Sequence, residues 1–189
     1  TGVTFTAFAG PDNLTGSGSA DTLDGAAGND SISGGGGNDI ITGGAGDDSI
    51  DGGAGGGDVA VFAGPVASYE YDTTLLGFGS DPVITDTVGN GGTDTLDNVE
   101  ILRIAGVDYT IVTGTFFSDG ALNGVNGANG SQIVFARTGN DTLNGGSGSD
   151  LVFGGNGDDV VIHIAAENAG SFDVYDGGNG RDTLRLVVT

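Results

Sequence analysis

The sequence predicts an all-β protein, a right-handed parallel β-solenoid in two repeat blocks separated by a small β insertion. Three observations predict it. A nine-residue beat runs Gly-Gly-Gly-Gly-Asn-Asp-Ile-Ile-Thr from Gly34, repeats from Gly43, and returns from Gly145 and Gly154. Each of these beats places an aspartate sixth and a large apolar residue eighth. The composition joins 41 glycines and only 3 prolines to a formal net charge of −22. A short fixed period marks stacked units that bury their apolar residues against one another. Glycine at this level otherwise signals low complexity, but a chain with something to bury in every unit has the means to fold.

The first block, residues 1–58, has turns beginning at Ala7, Gly16, Gly25, Gly34, Gly43 and Gly52. Their sixth positions hold Asp12, Asp21, Asp30, Asp39 and Asp48, and the last turn slips by one residue so that Asp58 stands where Gly57 was due. The eighth positions are Leu14, Leu23, Ile32, Ile41 and Ile50, flanked mostly by small or polar residues such as Ser31 and Ser33. That alternation describes a short half-buried strand with its eighth residue inward. Each unit is thus a six-residue turn and a three-residue strand, with glycine supplying positive φ and close backbone approach in the turn. Two units complete one coil, so every second strand stacks in parallel and the apolar residues form a thin ladder of core.

The middle segment, residues 59–117, breaks the beat and is expected to be a small β insertion packed against the repeats. Its strand candidates are Val59 to Phe62, Tyr69 to Tyr71, Val83 to Thr85, Val99 to Ile104 and Tyr109 to Val112. The second block, residues 118–189, is less regular and looks cut at its C-terminal end. Its sixth positions are Gln132, Asp141, Asp150, Asp159, Asp173 and Asp182; the matching inward residues are Val134, Leu143, Val152, Val161, Tyr175 and Leu184. Residues 163 to 167 are read as an insertion that interrupts the stacking. Ile133, Phe135, Leu151 and Phe153 occupy outward positions seven and nine and share one sheet face. That patch is expected to pack on the middle segment; left exposed, it would mark a partner surface.

Charge and composition exclude several functions. With 26 acidic residues against 4 basic ones, no patch exists to neutralise phosphates, so nucleic acid is not an expected partner. No apolar run approaches a membrane span, and the N-terminal residues lack the positive region of a signal peptide. The chain reads as a fragment or processed piece. There are 0 cysteines, so disulfides and thiolate metal sites are impossible. Catalysis finds no support either. The 1 histidine, His163, excludes a His-Glu-x-x-His helix, no Gly-x-Ser-x-Gly elbow is present, and the chain is not expected to be an enzyme. His163 and Glu167 read as a strand-end histidine beside a solvated glutamate.

The chemistry lies in the turns. Aspartate carboxylates and glycine carbonyls, without histidine or cysteine, form a hard all-oxygen donor set suited to calcium. Turns two units apart lie one above the other, so a cation fits between them. Asp21 would share an ion with the turn of Asp39, Asp30 with that of Asp48, and Asp141 with that of Asp159. The metal candidates are therefore Asp12, Asp21, Asp30, Asp39, Asp48, Asp58, Asp141, Asp150, Asp159, Asp173 and Asp182. The bland alternative, Asp-Gly turns merely solvated at the surface, does not account for so many aspartates in phase with glycines and an apolar eighth residue.

These units resemble the repeats-in-toxin nonapeptide Gly-Gly-x-Gly-x-Asp-x-U-x of hemolysin-type exported proteins, whose fold is a calcium-binding β-roll. Glycine is kept at the fourth position at Gly10, Gly28, Gly37, Gly46, Gly55, Gly130, Gly139, Gly148, Gly157 and Gly180. The resemblance implies several calcium ions, with carbonyl ligands from the first four turn residues. These are clearest in Gly34, Gly35, Gly36 and Gly37; Gly43, Gly44, Ala45 and Gly46; Gly145, Gly146, Ser147 and Gly148; and Gly154, Gly155, Asn156 and Gly157. Ser19 replaces a fourth glycine, Gln132 replaces an aspartate, and Asp58 is displaced. The stretch from Gly92 to Glu100 is similar to a segment found between such blocks.

The function expected is a calcium-binding structural module of a large secreted protein, an adhesin, surface-layer or toxin-like chain. The acidic chain would stay unfolded where calcium is scarce and fold outside the cell, where extracellular modules bind at ~10⁻⁴–10⁻³ M. The resemblance implies secretion by a type I route. The alternatives are the non-catalytic domain of a secreted hydrolase such as a protease, lipase or epimerase, or a glycan-binding module acting through the insertion. Expected partners are calcium, further domains of the parent chain, and a cell-surface or glycan ligand.

Overall fold

The computed structural model describes residues 1–72, 82–113, 122–123 and 130–188, and the chain divides into two compact units, Thr1–Val107 and Asp108–Thr189. The expected boundary at 117/118 lies outside the described residues.

In the first unit the strands fall on the seventh to ninth residues of each beat. They are β1 (Thr4–Thr6), β2 (Asn13–Thr15), β3 (Thr22–Asp24), β4 (Ser31–Ser33), β5 (Ile40–Thr42), β6 (Ser49–Asp51) and β7 (Val59–Phe62). Alternate strands stack in parallel, Leu14 on Ile32 on Ile50 in one stack and Leu23 on Ile41 on Ala60 in the other. These eighth residues are buried, so each rung contributes one apolar side chain to a core only one residue wide. Fully burying a leucine or isoleucine stabilises by about 1.5–3 kcal/mol. The ladder supports itself except where a rung has one neighbour; Phe5 of β1 is 52% exposed.

The segment read as an insertion contains further rungs of these same stacks. β8 (Tyr69–Asp72) and β9 (Val83–Asp86) form an antiparallel pair, and β9 pairs antiparallel with β10 (Thr93–Asp97). β10 itself lies parallel on β6, with Leu96 on Ile50. β11 (Ile101–Ile104) lies parallel on β7, with Leu102 on Ala60. Leu96 and Leu102 are buried, as the ladder requires. Residues 59–104 therefore hold β7 and two further rungs, β10 and β11, and the excursion that carries β8 and β9 lies between β7 and β10.

The second unit repeats the plan. One stack runs β12 (Val107–Thr113), β14 (Ser131–Phe135), β16 (Leu151–Phe153) and β18 (Val174–Asp176). The other runs β13 (Leu122–Asn123), β15 (Thr142–Asn144), β17 (Val160–Ile164) and β19 (Thr183–Val187). Val134, Ala136, Leu143, Val152 and Val161 form the core, with Val112 and Tyr175 packed against it. Leu184, at the last rung, is 54% exposed. Residues 163 and 164 do not interrupt the stacking, because His163 and Ile164 continue β17 opposite Leu186 and Val187. Ile133 and Leu151 face each other in register, as do Phe135 and Phe153, whose rings stack with centroids 5.4 Å apart. Ile133, Phe135 and Leu151 are buried. Among the described residues no helix is long and apolar enough to cross a membrane.

Candidate metal centre

The turns carry the chemistry, and stacking fixes their geometry. Each sixth-position carboxylate reaches along the stack to the turn before its own. The Asp21 amide donates to Asp39 Oδ1 (2.7 Å), that of Asp30 to Asp48 Oδ1 (2.8 Å) and that of Asp12 to Asp30 Oδ1 (2.8 Å), each across 18 residues. In the second unit the amides of Gln132 and Asp141 donate to Asp150 and Asp159, and those of Asp150 and Asp159 donate to Asp173 and Asp182. Asp58 fills this role despite its extra turn residue, accepting from the Asp39 amide at 2.8 Å. One oxygen of each carboxylate is thus used to hold the rungs in register.

The other oxygen is the unusual one. Oδ2 of Asp12, Asp30, Asp39, Asp48, Asp58, Asp150 and Asp159 is buried without a hydrogen-bond partner. A buried unsatisfied acceptor costs about 1–3 kcal/mol, and more when charged, so a row of them demands a positive partner. The neighbourhood suits one. The second oxygen of Asp39 and the carbonyl of Gly52 converge on the open side of Gly34, where any side chain would collide with both. The same pairing recurs at Gly25, with Asp30 and the Gly43 carbonyl, and at Gly154, with Asp159 and the Gly177 carbonyl.

The predicted carbonyl donors form the turns between β4 and β5, β5 and β6, β15 and β16, and β16 and β17. Some second- and third-position carbonyls already accept an amide from a neighbouring rung: Gly35 from Ala54, Ala45 from Gly28, Gly155 from Asn179 and Asn156 from Gly139. Among the described residues no main-chain donor reaches the first- or fourth-position carbonyls of these turns. No group of three or more acidic or histidine side chains comes together among the described residues. Any cation must therefore be held by one or two carboxylates and main-chain carbonyls, a hard oxygen set of the kind calcium accepts.

Electrostatics follow from this arrangement. Burial pushes the carboxyls of Asp39, Asp48, Asp58 and Asp159 above their ordinary value, against the pull of the donated amides. Burial raises Asp150 to about 6. Asp21 goes the other way, held low by amides donated from Ser17 and Val3.

Two residues join the rows that the beat did not mark. Asp94 accepts the Asp48 amide at 2.9 Å, across 46 residues. Glu100 accepts the Asp58 amide at 2.9 Å, across 42 residues. Asp94 is buried, and that burial lifts its carboxyl to about 7. The signal for Asp94 lay in plain sight: Gly89-Asn90-Gly91-Gly92-Thr93-Asp94-Thr95-Leu96-Asp97 is itself a nonapeptide unit, detached from the beat by the excursion. A second ladder runs at the fifth position, where Asn29 accepts from Asp47, Asp47 from Thr93, Asn140 from Asp158 and Asp158 from Arg181. His163 is engaged within the protein. Its Nδ1 lies 2.7 Å from the Tyr175 hydroxyl and 3.2 Å from Asp173 Oδ2, while Glu167 is exposed in the following turn.

Comparison with known proteins agrees with the donor chemistry. Residues 6–41, 27–58 and 126–161 match the family described as RTX calcium-binding nonapeptide repeat (4 copies). No curated protein matches the chain. Among solved structures, the extracellular lipase LipA from Serratia marcescens is similar at 23% identity and a TM-score of 0.46, over 84% of this chain and 30% of that one. The chain thus spans about 30% of the length of that lipase.

Proposed function

Because the chain belongs to the RTX calcium-binding nonapeptide repeat family, whose repeats bind calcium, we propose that it is a structural module whose folding is driven by extracellular calcium. The observation that carries this reading is the row of buried second oxygens on the sixth-position aspartates. Asp12, Asp30, Asp39, Asp48, Asp58, Asp141, Asp150 and Asp159 would hold the ions, with first- and fourth-position carbonyls such as those of Gly34, Gly37, Gly43, Gly46, Gly145, Gly148, Gly154 and Gly157. Asp94 and Glu100 would extend the two rows of the first unit by one rung each. Bound calcium supplies positive charge and oxygen coordination to groups that the protein leaves unsatisfied. The chain's own residues do the rest: Oδ1 of each aspartate fixes the register, and the apolar ladder closes the coil behind it.

The charge of −22 opposes compaction until it is neutralised, and metal-binding free energy becomes folding free energy. A structural rather than catalytic role is supported by the commitment of the carboxylates to stacking and of His163 to Tyr175 and Asp173. The setting we favour is a large exported adhesin, surface-layer or toxin-like protein. The test is a pair of substitutions, Asp39→Ala and Asp48→Ala. Each should raise the calcium midpoint of folding on the order of tenfold, the equivalent of ~1.4 kcal/mol, while Glu70→Ala on the exposed surface leaves it in place. Unchanged midpoints in both aspartate variants would overturn the ligand assignment.

A further inference from the structure

In two turns with serine fourth, those ending at Asp21 and Asp173, protein donors reach the aspartate's second oxygen, which in Asp30, Asp39 and Asp48 has none. In the turn from Gly16 to Asp21 the fourth residue is Ser19. There the Ser17 amide donates to Asp21 Oδ2 at 2.5 Å, the very oxygen that lacks a partner in Asp30, Asp39 and Asp48. The Ser17 hydroxyl adds contacts to Asp21 Oδ1 (3.2 Å) and the Ser19 carbonyl (3.4 Å). In the turn from Asn168 to Asp173 the fourth residue is Ser171. Its hydroxyl donates to the first-position carbonyl of Asn168 at 2.9 Å. The Tyr175 hydroxyl donates to Asp173 Oδ2 at 2.9 Å, with His163 Nδ1 3.2 Å from the same oxygen. At Gln132, which stands in an aspartate's place, Nε2 donates to the Gly130 carbonyl at 2.8 Å while Oε1 is buried without a partner.

The fourth residue gives the reason. Gly28, Gly37, Gly46, Gly148 and Gly157 have φ of 143°, 114°, 125°, 130° and 141°, a region that a residue with a Cβ enters only under strain. Ser19 and Ser171 are not among the residues with positive φ. Their turns close by another route, which brings amides and hydroxyls onto the turn's own oxygens.

Building on the calcium-module reading above, we propose that the turns ending at Asp21 and Asp173 are closed by protein donors in place of calcium. Calcium then partitions into the turns with glycine fourth and aspartate sixth. The ion count is set by this sorting, not by the number of acidic residues. The closed turns give each unit a rung that holds its shape without metal, next to rungs that need it.

The test counts bound calcium per chain by native mass spectrometry, on the whole chain at saturating calcium. Ser19→Gly and Ser171→Gly restore the regular pattern, and each should gain one ion. Gly37→Ser makes the reverse change and should lose one. Asp39→Ala, which should also lose an ion, separates the two levels of the account. If it lowers the count while Ser19→Gly and Ser171→Gly add nothing, the sorting rule is overturned and the calcium reading stands. If Asp39→Ala leaves the count unchanged, the calcium reading falls and the sorting rule falls with it.

Discussion

At the scale of single residues, the aspartates of the regular turns divide their two oxygens. In Asp30, Asp39 and Asp48 one oxygen accepts an amide from the neighbouring rung and the other is buried without a partner, the place we propose for calcium. Burial in such an arrangement raises a carboxyl's affinity for protons. Burial, the largest cause, holds Asp150 at about 6 and Asp94 at about 7, against an ordinary 3.8. A carboxyl raised on folding favours the folded state fully below its ordinary value, and that stability is lost as pH rises through the folded value. The metal-free chain should therefore lose β structure between about pH 4 and pH 7, measured by circular dichroism in chelator. Saturating calcium should remove that loss, because the ion replaces the proton. A metal-free signal flat across this range would mean that the carboxyls are not buried in the folded state.

At the scale of elements, strands two to seven residues long are too short to stand alone, and only the stacked ladder holds them. Ile41 sits in mid-stack with buried neighbours on both sides, so Ile41→Ala should cost roughly 2–5 kcal/mol in the calcium-saturated protein, read by denaturant unfolding. Phe5→Ala, at a half-exposed terminal rung, should cost much less. The strands of the regular blocks were fully legible from the beat, because the turn and strand lengths repeat without error from Asn13 to Asp51. The sequence does not mark Thr93–Asp97 as a strand, and it marks Ile101–Ile104 as part of a strand but not as a rung, since their partners lie 46 and 42 residues back and a period search expects them one coil away. The amide-to-Oδ1 ladder was also invisible, because it depends on register between rungs and not on any one motif. Asp94 is the practical consequence. Asp94→Ala should weaken calcium-dependent folding in the same direction as Asp48→Ala, whose amide it accepts, and an unaltered calcium midpoint would remove it from the row.

At the scale of the whole molecule, two large terms oppose each other. A formal charge of −22 on 189 residues, with 4 arginines and lysines in total, drives the chain apart. The apolar ladders, one side chain wide, provide a modest counterweight and no disulfide assists them. On the proposed reading, calcium satisfies the buried carboxylate oxygens and tips this balance, so that folding reads out calcium. On the proposed sorting, the turns with glycine fourth and aspartate sixth set how much calcium is needed, and the two turns with serine fourth set where it is not. The most direct measurement is far-UV circular dichroism of the fully chelated chain during a calcium titration, with magnesium as control. A cooperative gain of β signal in calcium and none in magnesium is the result expected. Full β structure in chelator, unmoved by calcium, would contradict the account and leave the aspartates as turn formers only.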